Sequence, residues 1–191
     1  HKNENIYGID GSIILHPKVW EASGHVDGFD DPLIECEKCN RRVRVDKIDG
    51  WRAKKNDQGN WEIIEQGSLD CPFCDGELIP EIKQFNLMME TYLGSVTGEK
   101  TKAYLKGESC QNTYLNFKPI LNSLSPKLPF GIAQIGKAFR NEITLGKFIF
   151  KLREFEQWDI EFFVHPDNAD EAYEQWKEIR FNWFVDELGI N

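Results

Sequence analysis

The sequence has no run of 18 apolar residues, so it offers no candidate membrane-spanning helix. It has no excess of base. Its 23 Lys+Arg stand against 32 Asp+Glu, a net charge of −9. That balance argues against a protein that coats nucleic acid by bulk charge, though not against a local basic site. The opening, HKNENIYGID, lacks the apolar segment that a secretory signal requires. It also lacks an initiator Met, as a chain beginning inside a longer reading frame would. A cytoplasmic location is the expectation. Internal repeats and low-complexity segments are missing. Histidine is scarce: His1, His16, His25 and His165 show no metal-ligand spacing, and each reads as a surface or packing residue. Aromatics are plentiful. Thirteen Phe and six Trp in 191 residues can build a core, so global disorder is excluded. The length suits one ordinary domain, or a domain with a small insert.

Four of the five cysteines form two C-x2-C pairs, Cys36 with Cys39 and Cys71 with Cys74, separated by 31 residues. Two such knuckles supply the four thiolates of a closed tetrahedral zinc site. Two disulfides could use the same thiols, but a reducing cytoplasm disfavours them. A site with no spare ligand position serves folding and not chemistry. Val43, Val45 and Ile48, then Trp61, Ile63 and Ile64, flank Asn56-Asp57-Gln58-Gly59 and predict two short strands and a turn. Cys110 reads as a small packed residue.

The organisation is that of a core, 1–35 and 81–191, interrupted by a cysteine insert at 36–80. Pro17 should end the strand at Ile13–Leu15. Ser23 to Pro32 and residues 91–103 read as loops. Apolar positions between Thr113 and Leu124 predict a helix despite Pro119. Phe130–Ile143 and Phe148–Val164 predict a long strand–loop–strand joined by Thr144-Leu145-Gly146-Lys147. A final helix should be capped by Asp167 or Asn168, carry Ala169, Ala172, Trp176, Ile179, Trp183 and Phe184 on one stripe, and stop at Gly189. The fold class is α+β with an antiparallel sheet.

Residues 135–155 run against the global charge, with five bases and two acids. Such a hairpin suits an anionic ligand such as a polyphosphate, because Arg presents a planar fork to phosphate oxygens. Ordinary cross-strand ion pairs would leave the same pattern.

The run Phe139-Arg140-Asn141-Glu142, a short loop, then Arg153-Glu154-Phe155-Glu156-Gln157 resembles motif 2 of class II aminoacyl-tRNA synthetases. More narrowly, it resembles the dimeric glycyl-tRNA synthetases. Leu128-Pro129-Phe130-Gly131-Ile132-Ala133-Gln134 leads into it as in that family. Leu15-His16-Pro17-Lys18-Val19-Trp20-Glu21-Ala22-Ser23-Gly24-His25 is similar to its motif 1 region, and Gln84 to Met88 and the cysteine insert also match. The resemblance covers nearly the whole chain.

It implies an antiparallel catalytic sheet flanked by helices, with a zinc-ribbon-like insert. It implies an ATP-dependent ligase that makes glycyl-adenylate and transfers glycine to tRNA(Gly), as a homodimer, with Mg2+ beside the ATP phosphates and structural Zn2+ on Cys36, Cys39, Cys71 and Cys74. Arg140 matches the arginine that holds the α-phosphate and the substrate carboxylate. Glu142 matches the acid that meets the adenine amino group, and Arg153 sits beside the nucleotide. The ATP run is then Arg140, Asn141 and Glu142 with Phe150, Lys151, Leu152, Arg153, Glu154 and Phe155. Substrate positions are Arg44, Glu108, Phe155, Glu156, Gln157, Trp158 and Asp159. The chain departs from the family in having Lys106, Gly107, Ser109 and Cys110 where Arg, Pro, Thr and Ala are usual, Lys151 for Arg and Asp159 for Glu. Lys cannot copy a bidentate guanidinium contact. Family members continue to a third motif and an anticodon-binding domain, so the chain reads as an internal catalytic fragment, inactive alone. The competing expectation is a truncated, non-catalytic module that binds tRNA or a protein partner.

Overall fold

The computed structural model describes residues 5–96, 98–143 and 148–190. The chain divides into two units. One comprises Ser12–Glu108 with Lys137–Glu156; the other comprises the chain up to Gly11, Ser109–Gly136 and Gln157 onward. The architecture is mixed α and β, with small sheets and few helices, as the α+β reading expects.

The first unit holds the cysteines. Strand β3 (Asp30–Cys36) lies between β4 (Arg42–Arg44) and β7 (Leu78–Asn86), antiparallel to both, with a bulge between Leu33 and Glu35. Strands β5 (Arg52–Lys55) and β6 (Trp61–Glu65) form a hairpin. Its turn is held by Asn56, whose side-chain oxygen accepts from the Gln58 and Asn60 N–H groups. The turn therefore falls where the sequence put it, but the first strand does not. Val45–Lys47 is a 3-10 turn that drives Val45 into the core, and the strand opposite Trp61 is the polar Arg52–Lys55. Ile34, Val45, Trp51 and Leu78 pack with Cys36 and Cys71, so the knuckles grow out of an apolar core. The Trp51 indole donates to the Ser68 carbonyl at 2.8 Å, satisfying its buried N–H. β3 ends at Cys36, where composition suggested the insert begins, and β7 runs across residue 80, where it suggested the insert ends.

A second core of Leu15, Trp20, Met88 and Tyr104 belongs to the same unit. β2 (Ile14–Leu15) stops where Pro17 opens α1 (Pro17–Ala22), whose first turn is capped by the His16 ring accepting from the Lys18 N–H. The stretch expected as loop from Ser23 is instead structured. Gly24, at φ +75°, turns the chain into the single-turn α2 (His25–Gly28), and β3 already begins at Asp30. Two charges start that strand because both are paired. Asp30 meets Lys55 at 2.6 Å and the Trp61 indole at 2.9 Å, and Asp31 meets Arg44 at 3.1 Å. The loop expected at 91–103 is also largely a hairpin, β8 (Glu90–Leu93) with β9 (Thr101–Leu105), and β9 pairs further with β2. Its glycines, Gly94 and Gly98, lie in the connection.

In the other unit, β1 (Ile6–Ile9) pairs in parallel with the first part of β10 (Phe130–Phe139), in one sheet with β11 (Glu154–Phe163), which belongs to this unit from Gln157 onward. Helix α3 (Cys110–Leu124) lays Phe117, Ile120 and Leu121 on Phe130 and Ile132. Phe117, Phe130 and Phe163 contact one another with ring centroids 4.5–5.8 Å apart. The helix carries Pro119 in its interior and ends at Ser125, which takes a left-handed conformation. The returning strand is shorter than its aromatic content predicted. Residues 148–153 are turn and bend, and β11 starts only at Glu154. The expected connection at Thr144–Lys147 lies outside the described residues. Helix α4 (Ala169–Asn182) continues into a π turn at Trp183–Glu187, and Gly189, at φ +62°, follows. Asn168 occupies the cap without a side-chain bond. The entry is tied one turn earlier, where the His165 ring accepts from the Asp167 N–H.

Candidate active site

Arg140 follows directly on the last residue of β10, and main-chain bonds fix its position. The Phe139 N–H donates to the Lys106 carbonyl (2.7 Å), the Arg140 N–H to the Arg153 carbonyl (2.9 Å) and the Asn141 N–H to the Leu87 carbonyl (2.8 Å). Three separate segments thereby hold one tripeptide. The Arg153 guanidinium returns the tie by donating to the Glu142 carbonyl at 3.0 Å.

The Arg140 guanidinium is half-buried. It lies over the Phe29 ring at 5.1 Å and the Phe155 ring at 5.3 Å, contacts worth more where water is excluded. Its Nε donates to the Gly107 carbonyl at 3.4 Å, and its Nη2 stands 3.7 Å from the Glu108 carboxylate. A guanidinium backed by two aromatic rings and a carboxylate thus face each other as an ion pair. That is the arrangement a small zwitterion or an anion beside an ammonium requires. Glu108 is also met on its other oxygen by the His25 Nε2, at 3.2 Å.

A cavity of about 220 Å³ in the same unit is lined by Asp31, Arg44, Phe85, Glu142 and Lys151, among others. Lys151 pairs with Glu142 at 2.8 Å, and Arg44 pairs with Asp31 and Asp46 at 3.1 and 2.8 Å. Burial pushes the Asp31 carboxyl up from its ordinary range, against the pull of Arg44. Asp46 goes down, because the Arg44 side chain donates to it. Arg44 itself is held more firmly as a cation, first by Asp46.

The residues predicted from sequence therefore separate into groups. Arg140, Glu108 and Phe155 come together. Glu142, Lys151 and Arg44 share the cavity, and Arg153 and Asn141 act through the backbone bonds just described. Glu154 and Glu156 point at Lys137, at 3.5 and 3.9 Å. Phe150 is 87% exposed and Leu152 is exposed. Gln157, Trp158 and Asp159 belong to the other unit. There Gln157 accepts from the Ser109 N–H at 3.2 Å, the Arg180 guanidinium lies 5.4 Å from the Trp158 ring, and Asp159 is half-buried. Two contributors escaped the sequence reading, His25 and Phe29. Only the position of His25 at the end of the motif 1-like run marked it, and nothing marked Phe29.

The four knuckle sulfurs lie within 4.8 Å of one another. Cys36 and Cys74 are 3.6 Å apart, and Cys39 and Cys71 are 3.8 Å apart. Zinc–sulfur bonds of ~2.3 Å in a tetrahedron give a sulfur separation of ~3.8 Å, so the donor set fits Zn2+. Backbone N–H groups of Cys39, Phe73 and Gly76 point at Cys36, Cys71 and Cys74. The first of these draws the Cys36 thiol down to about 7. Cys110, at the start of α3, is remote from the knuckles in sequence and outside their cluster.

Sequence comparison defines the class. The tRNA synthetase class II core domain (G, H, P, S and T) matches residues 94–190, just over half of the chain, and the chain belongs to that family. The relatives it resembles include glycine–tRNA ligases. That of Acetivibrio thermocellus is 44% identical over 194 residues, covering 95% of this chain and 42% of its own length. That of Thermobifida fusca is 44% identical over 192 residues, covering 100% and 41%. The chain therefore spans about two-fifths of the length of the relatives it matches. Among solved structures, the RNA binding domain of threonyl-tRNA synthetase from Cryptosporidium parvum Iowa II aligns with 96% of this chain and 30% of its own, at TM-score 0.50 and 18% identity, a likeness of fold.

Proposed function

We propose that this chain is the part of a glycine–tRNA ligase that grips glycine and ATP. The observation that carries the reading is the Arg140–Glu108 pair, 3.7 Å apart with the guanidinium against two aromatic rings, in a sequence 44% identical to such ligases. In the first reaction a glycine carboxylate oxygen attacks the α-phosphorus, a P–O bond forms, and the bond to the β-phosphate oxygen breaks to release pyrophosphate. Two anions must meet, so catalysis rests on positioning and charge neutralisation. Arg140 holds the carboxylate and the α-phosphate oxygens together, and Glu108 holds the ammonium. Glu142, Lys151 and Arg44 bind around the nucleotide. Mg2+ would screen the phosphates that no side chain reaches. In the second reaction the terminal ribose hydroxyl of tRNA(Gly) attacks the activated carbonyl and AMP leaves. Alanine is rejected sterically, which a rigid wall does better than the ~1–3 kcal/mol a pocket gains from one methylene.

In the same reading residues 36–80 form a zinc-held insert within a catalytic core, Cys36, Cys39, Cys71 and Cys74 hold Zn2+ for folding, and the full-length protein is a cytoplasmic homodimer. Support for the last two comes from the family resemblance. Among the described residues no helix is long and apolar enough to cross a membrane.

The test is glycine-dependent ATP–pyrophosphate exchange by the full-length protein. Arg140→Ala should lower it by at least ~100-fold, and Arg140→Lys should recover little, because an ammonium lacks the fork. Exchange equally strong with alanine, or indifferent to Arg140→Ala, would refute the assignment. Metal analysis of purified protein should find one zinc per chain.

A further inference from the structure

Four thiolates around one ion are not four equal nucleophiles. Access divides them first. Cys36 and Cys71 are buried in the core with Trp51, whereas Cys39 and Cys74 are half-buried. Hydrogen bonding divides them again. A donor draws electron density from a sulfur and leaves it less ready to attack an electrophile. The Cys36 sulfur accepts from the Cys39 N–H at 3.5 Å, Cys71 from the Phe73 N–H at 3.5 Å, and Cys74 from the Gly76 N–H at 3.4 Å. Among the described residues no backbone N–H donates to the Cys39 sulfur. The turn after the first knuckle differs from that after the second. Asn40, in the left-handed region at φ +55°, gives its N–H to the Cys36 carbonyl at 3.0 Å.

Cys39 is therefore the sulfur that is both reachable and undamped. The Cys71 sulfur lies 3.8 Å from it, across the gap between knuckles. Both knuckles also build the cavity beside Glu142 and Lys151. Phe73 lies within the second knuckle, and Arg42 and Arg44 belong to β4, just after the first. Loss of the metal would unfasten that wall.

We infer that Cys39 is a peroxide-sensitive modification site: a hydroperoxide oxidises it, Cys71 then closes a disulfide with it, and zinc is released. This rests on the zinc reading above. In the first step the Cys39 thiolate attacks one oxygen of hydrogen peroxide and the O–O bond breaks. A sulfenic acid forms, and the departing hydroxide takes a proton from solvent to become water. In the second the Cys71 thiolate attacks the Cys39 sulfur. An S–S bond forms, the S–O bond breaks, and the hydroxide again leaves as water. The two sulfurs give up two electrons and the peroxide receives them. Cys36 and Cys74 remain, half the set that a closed zinc site needs.

The experiment treats the zinc-loaded full-length protein with hydrogen peroxide. A chromogenic indicator follows zinc, dimedone traps sulfenic acid, and non-reducing peptide mapping locates disulfides, with Cys110 resolved on its own peptide. Among the four knuckle cysteines dimedone should label Cys39 first. The Cys39–Cys71 bond should be the main crosslink, zinc should appear in step with it, and dithiothreitol should restore binding. Cys39→His keeps a nitrogen ligand for zinc and removes the nucleophile, so its peroxide-driven release should be slower by about tenfold or more. First labelling at Cys36, Cys71 or Cys74 overturns the assignment. So does a main crosslink within one knuckle, zinc kept after the Cys39–Cys71 bond has formed, or a zinc-loaded Cys39→His protein that releases at the wild-type rate. Should Cys39→His fail to fold, the labelling order and crosslink map of the wild type decide alone. Untreated protein without zinc defeats the zinc reading itself, a result distinct from each of these, and takes this inference with it.

Discussion

Replacing Gly76 by alanine should damage the zinc knuckles more than any other one-carbon change in the cysteine module. A Cβ at that position would lie 2.5 Å from the Lys38 Cβ, 3.2 Å from the Cys36 sulfur and 3.4 Å from the Cys74 sulfur. Carbon atoms pack at roughly 3.5–4.0 Å, so the first contact overlaps by about 1 Å. Lys38 Cβ is the fixed root of its side chain, and rotating the lysine cannot move it. Relief must come from one knuckle shifting away from the other. Overpacking of this kind costs about 1–3 kcal/mol. Because the metal demands the closed sulfur arrangement, the cost falls on the bound state, which predicts zinc affinity weaker by roughly 5- to 150-fold. Competition against a chromophoric chelator measures this, and cobalt substitution reports whether four thiolates still bind. Gly8→Ala is the control, since nothing lies within 4 Å of a Cβ there. If Gly76→Ala held zinc as tightly as wild type, with an unchanged cobalt spectrum, the close approach of the two knuckles would be wrong.

Asp30→Ala should cost about 1–3 kcal/mol in urea unfolding by stranding the Trp61 N–H and Lys55, whereas Asp30→Asn should cost less because its carbonyl still accepts from the indole. Glu35 and Asp46 both have depressed pKa values, Glu35 through Lys83 and Arg42 and Asp46 through Arg44. Their contribution is therefore complete above the ordinary 4.5 and 3.8 and is lost as pH falls through the lowered values. The urea midpoint should drop below about pH 4.5, and Glu35→Gln should flatten that limb; an unaltered slope would contradict the pairing. Removing zinc with a strong chelator should expose Trp51, seen as a fluorescence shift, because the knuckles and that ring share one core.

The parts of the fold legible in the sequence were those whose signals are local. Two C-x2-C pairs announce their partner by spacing, and the sulfurs indeed cluster. The period of α3 survived Pro119, since Phe117, Ile120 and Leu121 had a sheet to bury against. Strands whose partners are distant left weaker marks. Arg52–Lys55 carries three bases in four residues, and its pairing with Trp61–Glu65 has no apolar alternation to announce it. Thr101–Leu105 was hidden by the glycines before it, although Ala103 and Tyr104 are buried. Phe148 and Phe150 misled in the other direction, promising a buried strand where both rings are exposed. At the candidate site, charge alone distinguished the basic hairpin but could not choose between a ligand and surface pairing. The resemblance singled out Arg140 and Glu108. The contact of Glu108 with His25 could not be read, because it depends on how β2, α1 and α2 place a residue distant in sequence.

The ties on Phe139, Arg140 and Asn141 all end on main-chain oxygens, at positions 106, 153 and 87. Every amino acid carries that oxygen. Those three acceptor sites can therefore drift in side chain, as Lys106 does from the usual arginine, while the grip on the tripeptide itself persists. The donor sites have no such latitude toward one residue: proline at 139, 140 or 141 would delete a bond outright, so the hairpin's tolerance to mutation is lopsided by construction.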